Sequence, residues 1–233
     1  MQNRSYRIVE VREQVLADNG KAAEKNRECL KQNGSFLVNL MGSPGAGKTS
    51  TILKIIEKLR EKYRIGVMEA DADGDTDAAA IEKTGTRVIQ LHTGGLCHMD
   101  ADMTGRGLLA FDIKDLDLVI LENVGNLVCP AEFEVGADLR IMILSVPEGD
   151  DKPLKYPLMF SISDALLISK TDTEGIFDFS RDLAVQRALA LNPDLTVFFV
   201  SAKTGEGYEE FCRFLDQKIS AKRYLSAGME EYE

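Results

Sequence analysis

The stretch Gly42-Ser43-Pro44-Gly45-Ala46-Gly47-Lys48-Thr49 decides the fold of this 233-residue chain. It fits the pattern G-x-x-x-x-G-K-[ST], in which glycines let the backbone curl around a phosphate group. An apolar run over 36–41 precedes it, and apolar residues at helical spacing follow it. Strand, glycine-rich loop and helix in this order predict a phosphate-binding loop, with the N-terminal end of the helix facing the anion.

The same stretch predicts individual roles. Lys48 can reach the β- and γ-phosphates of a nucleotide, and the hydroxyl of Thr49 can hold Mg²⁺. The predicted phosphate-binding residues are Gly42, Ser43, Gly45, Ala46, Gly47, Lys48, Thr49 and Ser50.

Strands and helices alternate from residue 36 onward. The candidate strands are 36–41, 65–70, 87–91, 117–122, 139–146, 164–169 and 195–200, and the candidate helices are 48–62, 75–84, 98–111, 178–191 and 207–221. Several strands are continuous apolar runs, which is typical of a parallel sheet covered on both faces. We expect an α/β protein with a three-layer α/β/α fold and a mostly parallel sheet of about seven strands.

Three segments are expected along the chain. Residues 1–34 form an N-terminal helical arm, with a helix over 6–32 in which Gly20 is a candidate break. Residues 35–222 form the P-loop domain, and 223–233 form an acidic tail that frays.

Composition excludes several functional classes. The formal net charge is −10, which argues against a general binder of nucleic acid or of anionic membranes. The polar N-terminus does not resemble a secretory signal, and no apolar run approaches the length of a membrane span. The four cysteines are widely spaced, so a disulfide framework is not expected. We expect a cytoplasmic protein.

Two strand ends favour guanine as the base. Ser169-Lys170-Thr171-Asp172 follows a strand where many GTPases carry Asn-Lys-x-Asp, although Ser169 replaces the asparagine. A carboxylate there accepts hydrogen bonds from guanine N1–H and the exocyclic amine, whereas adenine N1 has no proton to offer. A second motif after the last strand resembles the one whose backbone N–H binds guanine O6. The predicted base-binding residues are Lys170, Asp172, Ser201, Ala202 and Lys203.

Two other strand ends offer acids for magnesium. Glu122 ends the strand 117–122, where P-loop proteins place a Walker-B acid, and Asp71 follows the strand 65–70. Lys48, Thr49, Asp71 and Glu122 are therefore the predicted catalytic residues, and which acid orients the attacking water stays open. Asp71, Asp73 and Asp75 also mimic a calcium loop, but a strand precedes them and Thr76 stands where that loop needs glycine. Acids at a helix start are the better interpretation of Asp73 and Asp75.

Cys97, His98 and Cys129 are candidate ligands for a second metal. They follow different strands, and the carboxyl ends of parallel strands meet at one edge of a sheet. Two thiolates and an imidazole suit Zn²⁺ or Ni²⁺. A fourth ligand could be His92, Asp100, Asp102, water or a group from a second subunit. Spacing alone favours the simpler interpretation of two partly buried thiols beside an unrelated histidine.

Longer strings resemble the HypB family, the hydrogenase nickel-incorporation GTPases in the metallochaperone branch of the SIMIBI-class P-loop proteins. The most specific strings run from Glu122 to Pro130 and from Glu148 to Pro157, and the pattern Cys97-His98-x-Asp100-Ala101 matches a third. Carried over residue by residue, the resemblance implies Ni²⁺ or Zn²⁺ at Cys97, His98 and Cys129. It also implies a GTP-promoted homodimer with metal near its interface, and Mg²⁺ beside GTP.

The resemblance further implies a role and partners. The implied function is GTP hydrolysis coupled to delivery of nickel to the large subunit of a [NiFe]-hydrogenase, with a small HypA-like zinc-binding partner. Thr93-Gly94-Gly95-Leu96 lacks a lysine that many relatives carry before the Cys-His pair, and Asp102 stands where some have histidine. With His92 and His98 as its two histidines, the chain has no histidine-rich stretch, so nickel storage is not expected.

Alternatives stay open at this point. The client could be urease or another nickel or cobalt enzyme, although the Glu122–Pro130 string argues against the urease relative. The chain could also be a metal-binding dimerisation module whose hydrolysis is vestigial. A P-loop kinase of small molecules would need an acceptor pocket, which no motif in the sequence marks.

Overall fold

The computed structural model describes residues 11–71 and 76–228, and it places seven strands and nine α-helices in that part of the chain. The strands are β1 (Phe36–Gly42), β2 (Ile65–Asp71), β3 (Arg87–His92), β4 (Leu118–Glu122), β5 (Leu139–Ser145), β6 (Ala165–Ser169) and β7 (Thr196–Val200). The helices are α1 (Val11–Gln32), α2 (Lys48–Leu59), α3 (Thr76–Glu82), α4 (Ala101–Phe111), α5 (Cys129–Glu132), α6 (Lys152–Lys155), α7 (Pro157–Ile162), α8 (Arg181–Leu191) and α9 (Tyr208–Gly228). Short 3-10 helices lie at Ile113–Asp115, Val146–Glu148 and Thr171–Thr173.

All seven strands belong to one parallel sheet in the order β3-β2-β4-β1-β5-β6-β7. β1 lies between β4 and β5, and its register pairs Leu40 with Glu122 of β4. The phosphate-binding loop and the predicted magnesium acid therefore leave the sheet at the same edge. The predicted α/β class, strand number and parallel sheet are confirmed.

Helices cover both faces of the sheet because side chains alternate along each strand. On one face, Val38 and Leu40 of β1 pack with α2 and α9. On the other, Leu37 packs with α1 and α4, and Met41 packs with α7 and α8. These two apolar layers give the predicted three-layer arrangement and leave the carboxyl edge of the sheet for polar residues.

Helix α1 packs along α4 and reaches the core at its C-terminal half. Leu30 is fully buried, and the amide Nδ2 of Asn26 donates to the carbonyl oxygens of Ala101 (2.7 Å) and Val135 (3.0 Å). The helix continues through Gly20, so the predicted break there is wrong. The first ten residues of the predicted arm lie outside the described residues.

Helix ends differ from the sequence prediction in ways that local chemistry explains. The helix predicted from residue 98 begins at Ala101, because the Asp100 carboxylate caps it by accepting from the N–H of Met103 at 2.8 Å. Helix α9 continues past residue 222, where the frayed tail was predicted to begin, to Gly228. Residues 229–233 lie outside the described part. Helices α5, α6 and α7 were missed because four to six residues are too few for a periodic pattern.

Among the described residues, no helix combines the length and the apolar character that crossing a bilayer requires.

Candidate functional site

The phosphate-binding loop turns from the end of β1 into α2 within five residues. Gly45 and Gly47 have positive φ angles of 74° and 100°, which a residue with a Cβ rarely adopts. Lys48 is buried, and its Nζ donates to the carbonyl oxygen of Ser43 at 3.4 Å. The loop thus closes on the lysine ammonium and leaves the N-terminal end of α2 free for an anion.

The predicted magnesium residues meet beside this loop. The hydroxyl of Thr49 donates to Oε1 of Glu122 at 2.9 Å, and Glu122 is 3% exposed. Burial raises the pKa of Glu122 to about 7, although the charge of Lys48 and the hydrogen bond from Thr49 act against it. Its other oxygen, Oε2, has no hydrogen-bond partner in the described part of the chain.

A divalent cation fits this arrangement. A buried carboxylate oxygen without a donor is costly unless a cation or a water bound to one satisfies it. The cleft beside it holds about 560 Å³ and is lined by Lys48, Thr49 and Glu122 together with both sides of the phosphate-binding loop. It has room for the phosphates of a nucleotide as well as for the ion.

Two other acids lie at or near the carboxyl end of β2. Asp71 is the last residue of β2, but its side chain lies outside what the structure describes, as do Asp73 and Asp75. Glu69, which sequence reasoning missed, is 4% exposed, lies opposite Glu122 in the β2–β4 register and lines the same cleft. The sequence contained a signal for this residue, namely an acid near the carboxyl end of an otherwise apolar strand. Such a side chain is expected to face a polar site or a bound ion.

Four of the five predicted base-binding residues line a second cavity of about 220 Å³ at the ends of β6 and β7, which adjoins the phosphate cleft. Lys170, Asp172, Ala202 and Lys203 all reach it. Ser201 lies behind them, and its hydroxyl donates to Oδ1 of Asp172 at 2.6 Å. That hydrogen bond fixes the carboxylate toward the cavity, as recognition of a base N–H requires.

Ser169 and Lys170 tie this cavity to the phosphate-binding loop. The hydroxyl of Ser169 donates to the carbonyl oxygen of Ala46 at 2.6 Å, and Nζ of Lys170 donates to that of Gly45 at 2.7 Å. Serine at the position of the usual asparagine therefore keeps a contact with the loop.

Cys97, His98 and Cys129 converge at the same edge of the sheet. One ligand atom from each lies within 4.8 Å of the others, and the two free Sγ atoms are 2.8 Å apart. The His98 ring stacks on Phe133 with a centroid distance of 3.9 Å. Burial lowers the pKa of His98, which favours the neutral imidazole that binds metals. The cluster suits a borderline-soft divalent ion such as Ni²⁺ or Zn²⁺.

The three residues predicted as possible fourth ligands either pair with other groups or lie exposed at the end of another strand. Asp100 caps α4, and the carboxylate of Asp102 pairs with Arg106 at 2.6 Å. His92 is exposed at the end of β3. Within the described residues the cluster therefore holds three ligands, which leaves a coordination position for water or for a group from another molecule.

Comparison with known proteins decides the family. The nucleotide-binding domain family CobW/HypB/UreG matches residues 36–199. The hydrogenase maturation factor HypB of Rhizobium leguminosarum bv. viciae is 42% identical over 93% of this chain and 72% of its own length. The chain belongs to the HypB family. The HypB resemblance in the sequence is confirmed.

Other HypB proteins match over nearly their full length. The hydrogenase/urease maturation factor HypB of Helicobacter pylori is 40% identical, over 93% of this chain and 90% of that protein. The crystal structure of HypB from Helicobacter pylori in complex with nickel superposes with a TM-score of 0.83 at 36% identity, covering 88% of this chain and 97% of that one.

Proposed function

We propose that this chain is a GTP-hydrolysing metallochaperone that couples its nucleotide state to the binding and delivery of nickel during [NiFe]-hydrogenase maturation. One observation carries the proposal: Cys97, His98 and Cys129 cluster at the edge of the sheet that also holds the phosphate-binding loop. Membership of the HypB family supports it, since relatives carry the name hydrogenase maturation factor and one was solved with nickel.

The phosphate chemistry follows from residues of the cleft. Lys48 and the loop amides stabilise negative charge on the γ-phosphate as it leaves. Thr49 and Glu122, with Asp71 as a further candidate, would hold Mg²⁺, which when bound would neutralise negative charge on the phosphates. Among the described residues that line the cleft there is no arginine, so we expect slow intrinsic turnover.

Guanine is the base that Asp172 favours. The carboxylate is held toward the cavity by Ser201, where it accepts from groups that guanine has and adenine lacks. Lys170, Ala202 and Lys203 line the same cavity, where they would lie beside the base.

Coupling between the two sites runs through the segment 122–129. Glu122 binds Thr49, Gly42 pairs with Asn126 in an isolated bridge, and Cys129 ends the segment as a metal ligand. Loss of γ-phosphate contacts after hydrolysis would release this segment and so move a metal ligand.

The proposal includes partners. The nickel donor or acceptor would approach the exposed Cys97 thiol, where a HypA-like zinc-binding protein and the hydrogenase large subunit are the expected partners. Since the Helicobacter pylori relative is named for both hydrogenase and urease, a second nickel enzyme is the alternative client.

Nickel affinity in two nucleotide states tests the proposal. We expect the GDP form and the form with a non-hydrolysable GTP analogue to bind nickel with dissociation constants that differ by about 5-fold or more. Cys97→Ser should weaken binding in both forms, whereas Cys29→Ser, a half-buried cysteine on α1, should leave it unchanged. Equal nickel affinity in the two wild-type forms would remove the coupling.

A further inference from the structure

A fully buried asparagine joins the nucleotide edge of the sheet to the metal-binding loop. Asn123 directly follows Glu122 and is 0% exposed. Its Oδ1 accepts hydrogen bonds from the backbone N–H of Met99 at 3.1 Å and of Val124 at 2.9 Å. Its Nδ2 donates to Oδ1 of Asn39 at 3.1 Å. A single side chain therefore connects three separate parts of the chain.

Two of these parts lie close in sequence to functional residues, one to the metal ligand His98 and the other to the phosphate-binding loop. Met99 is the neighbour of His98, and its own side chain is 1% exposed. Asn39 lies on β1, three residues before the phosphate-binding loop, and is 3% exposed. The backbone N–H of Asn123 donates to the carbonyl oxygen of Leu40, which holds the end of β4 to β1.

Breaking these buried hydrogen bonds costs free energy. A buried amide that loses a partner has no water to replace it, and linked hydrogen bonds in a low-dielectric interior strengthen one another. A displacement of the backbone at 122–123 is therefore less costly if Met99 moves with it. The hydrogen bond between Met99 and Asn123 thus joins the chain neighbour of Glu122, in the phosphate site, to the chain neighbour of His98, in the metal cluster.

We propose that Asn123 is a positioning residue that transmits the nucleotide state to the metal ligands. The inference rests on the proposed function and names the route of its coupling. When Glu122 exchanges its contact with Thr49 for other partners in the nucleotide site, the end of β4 shifts and Asn123 draws the Met99 backbone with it. The distance from Cys97 and His98 to Cys129 then changes. Cys129 is joined to the end of β4 by the chain segment 122–129 and not by the Asn123 side chain.

The two metal-binding elements are thus attached to β4 by different routes. Cys129 is connected to it through the chain itself, and the Cys97-His98 pair through the Asn123 side chain. Removing that side chain takes away the hydrogen bond between the end of β4 and the backbone beside the Cys97-His98 pair, and it leaves Cys129 attached through the chain. A merely structural asparagine would instead change stability and leave the ratio of nickel affinities between nucleotide states as it was.

The test uses the full chain, nickel alone in competition with a chromophoric chelator, and saturating GDP or a non-hydrolysable GTP analogue with Mg²⁺. We expect Asn123→Ala to bind both nucleotides and nickel, but with a ratio of nickel dissociation constants within about 2-fold of one, against the 5-fold or more of a coupled wild type. Asn192→Ala is the matched control. That asparagine also donates its side-chain amide to a carbonyl oxygen, that of Ser163 at 2.7 Å, just before the amino end of β6 and away from the carboxyl edge that holds the two sites.

The outcomes separate the inference from the proposed function. A wild-type ratio of one overturns the proposed coupling, and the inference with it. A wild-type ratio of 5 or more that Asn123→Ala preserves overturns the inference alone. If Asn123→Ala does not fold, Asn123→Ser carries the same test, because its shorter side chain does not reach the backbone N–H of Met99 but keeps a polar group in the buried site. We expect it to bring the ratio within about 2-fold of one, and a preserved ratio contradicts the inference.

Discussion

Single polar side chains carry the chemistry of this protein. Glu122 and Asp172 are each placed by one side-chain hydrogen bond and the buried Asn123 by three, and each lies at a different part of the site. A change of one functional group therefore acts directly on the site.

The charge of Glu122 is predicted to be essential for magnesium-dependent turnover. Glu122→Gln keeps an oxygen that can accept from Thr49 but removes the negative charge that a cation requires. We expect GTP turnover to fall about 10- to 100-fold and the Mg²⁺ concentration for half-maximal rate to rise. Steady-state phosphate release over a Mg²⁺ titration measures both.

Glu57→Gln is the matched control for this prediction. Glu57 is an exposed acid on α2 that pairs with Lys54 and does not line the cleft, so its replacement should leave turnover unchanged. A Glu122→Gln protein with wild-type Mg²⁺ dependence would show that another acid holds the ion.

Asp117 gives a pH-dependent contribution to stability. The guanidinium of Arg64, which donates from Nε at 3.0 Å and from a terminal nitrogen at 2.9 Å, lowers the pKa of Asp117 to about 2. Since the folded pKa lies below the unfolded value of 3.8, the carboxylate stabilises the fold above pH 3.8 and loses this effect as the pH falls toward 2. Arg64 is largely exposed, so solvent screens the pair.

We therefore expect Asp117→Asn to lower the free energy of unfolding by about 1 kcal/mol at pH 7. Urea unfolding at pH 7, 4 and 3 should show the difference from wild type shrinking with pH. Asp115→Asn removes a more exposed acid that lies 4.0 Å from Arg64 and should have little effect. A difference that stays constant down to pH 3 would mean that the ion pair is not its source.

At the scale of elements, the segment 122–129 forms the link between β4 and α5. It touches the phosphate-binding loop at two points, through the bridge between Gly42 and Asn126 and through Gly125 against Pro44. A Cβ on Gly125 would lie 2.8 Å from Cγ of Pro44 and 3.0 Å from its backbone nitrogen. Glycine is therefore required there by the close approach of two loops.

Gly125→Ala should push the phosphate-binding loop outward. Because overpacking of this kind costs about 1–3 kcal/mol, we expect nucleotide affinity to fall about 10-fold or more. Fluorescence titration with a labelled GDP measures it. Gly20→Ala serves as the control, since a Cβ at that position in α1 meets nothing within 4 Å. Equal nucleotide affinity in the two variants would show that the loops separate without cost.

At the scale of the whole molecule, the parallel sheet brings distant residues to one edge. All seven strands end on the same side, so the base cavity, the phosphate cleft and the metal cluster follow one another along that edge. The order β2-β4-β1 places Glu69, Glu122 and the phosphate-binding loop on adjacent strands.

The GTP-promoted homodimer that the HypB resemblance implies would need an exposed surface for a second copy, and we expect it at an exposed apolar patch beside the base cavity. Ile176 is 75% exposed and Phe177 is 43% exposed, and both lie in the loop a few residues after the 3-10 helix that carries Asp172. We expect sedimentation to show a dimer with the GTP analogue and a monomer with GDP, and Ile176→Lys to remove the dimer. Leu109→Lys, at a residue 79% exposed on α4, should not. A dimer that persists in Ile176→Lys would place the interface elsewhere.

Much of this architecture could be read from the sequence because the signals are local. Predominantly apolar segments, several of them continuous runs, identified all seven strands, and G-x-x-x-x-G-K-[ST] identified the loop after β1. The boundaries of helices were predicted less accurately. The start of α4 is set by a single hydrogen bond to Asp100, and short helices with proline in the first turn, such as α5, have no periodic pattern.

The sequence by itself determined the class of fold, the phosphate-binding loop and the residue types that bind base and metal, because each depends on neighbours in the chain. Only the tertiary structure decided that the thiols of Cys97 and Cys129 meet, that Glu69 shares a cleft with Glu122, and that Asn123 joins the two sites. These contacts join residues far apart in sequence, and the order of strands in the sheet, which no local pattern encodes, brings them together.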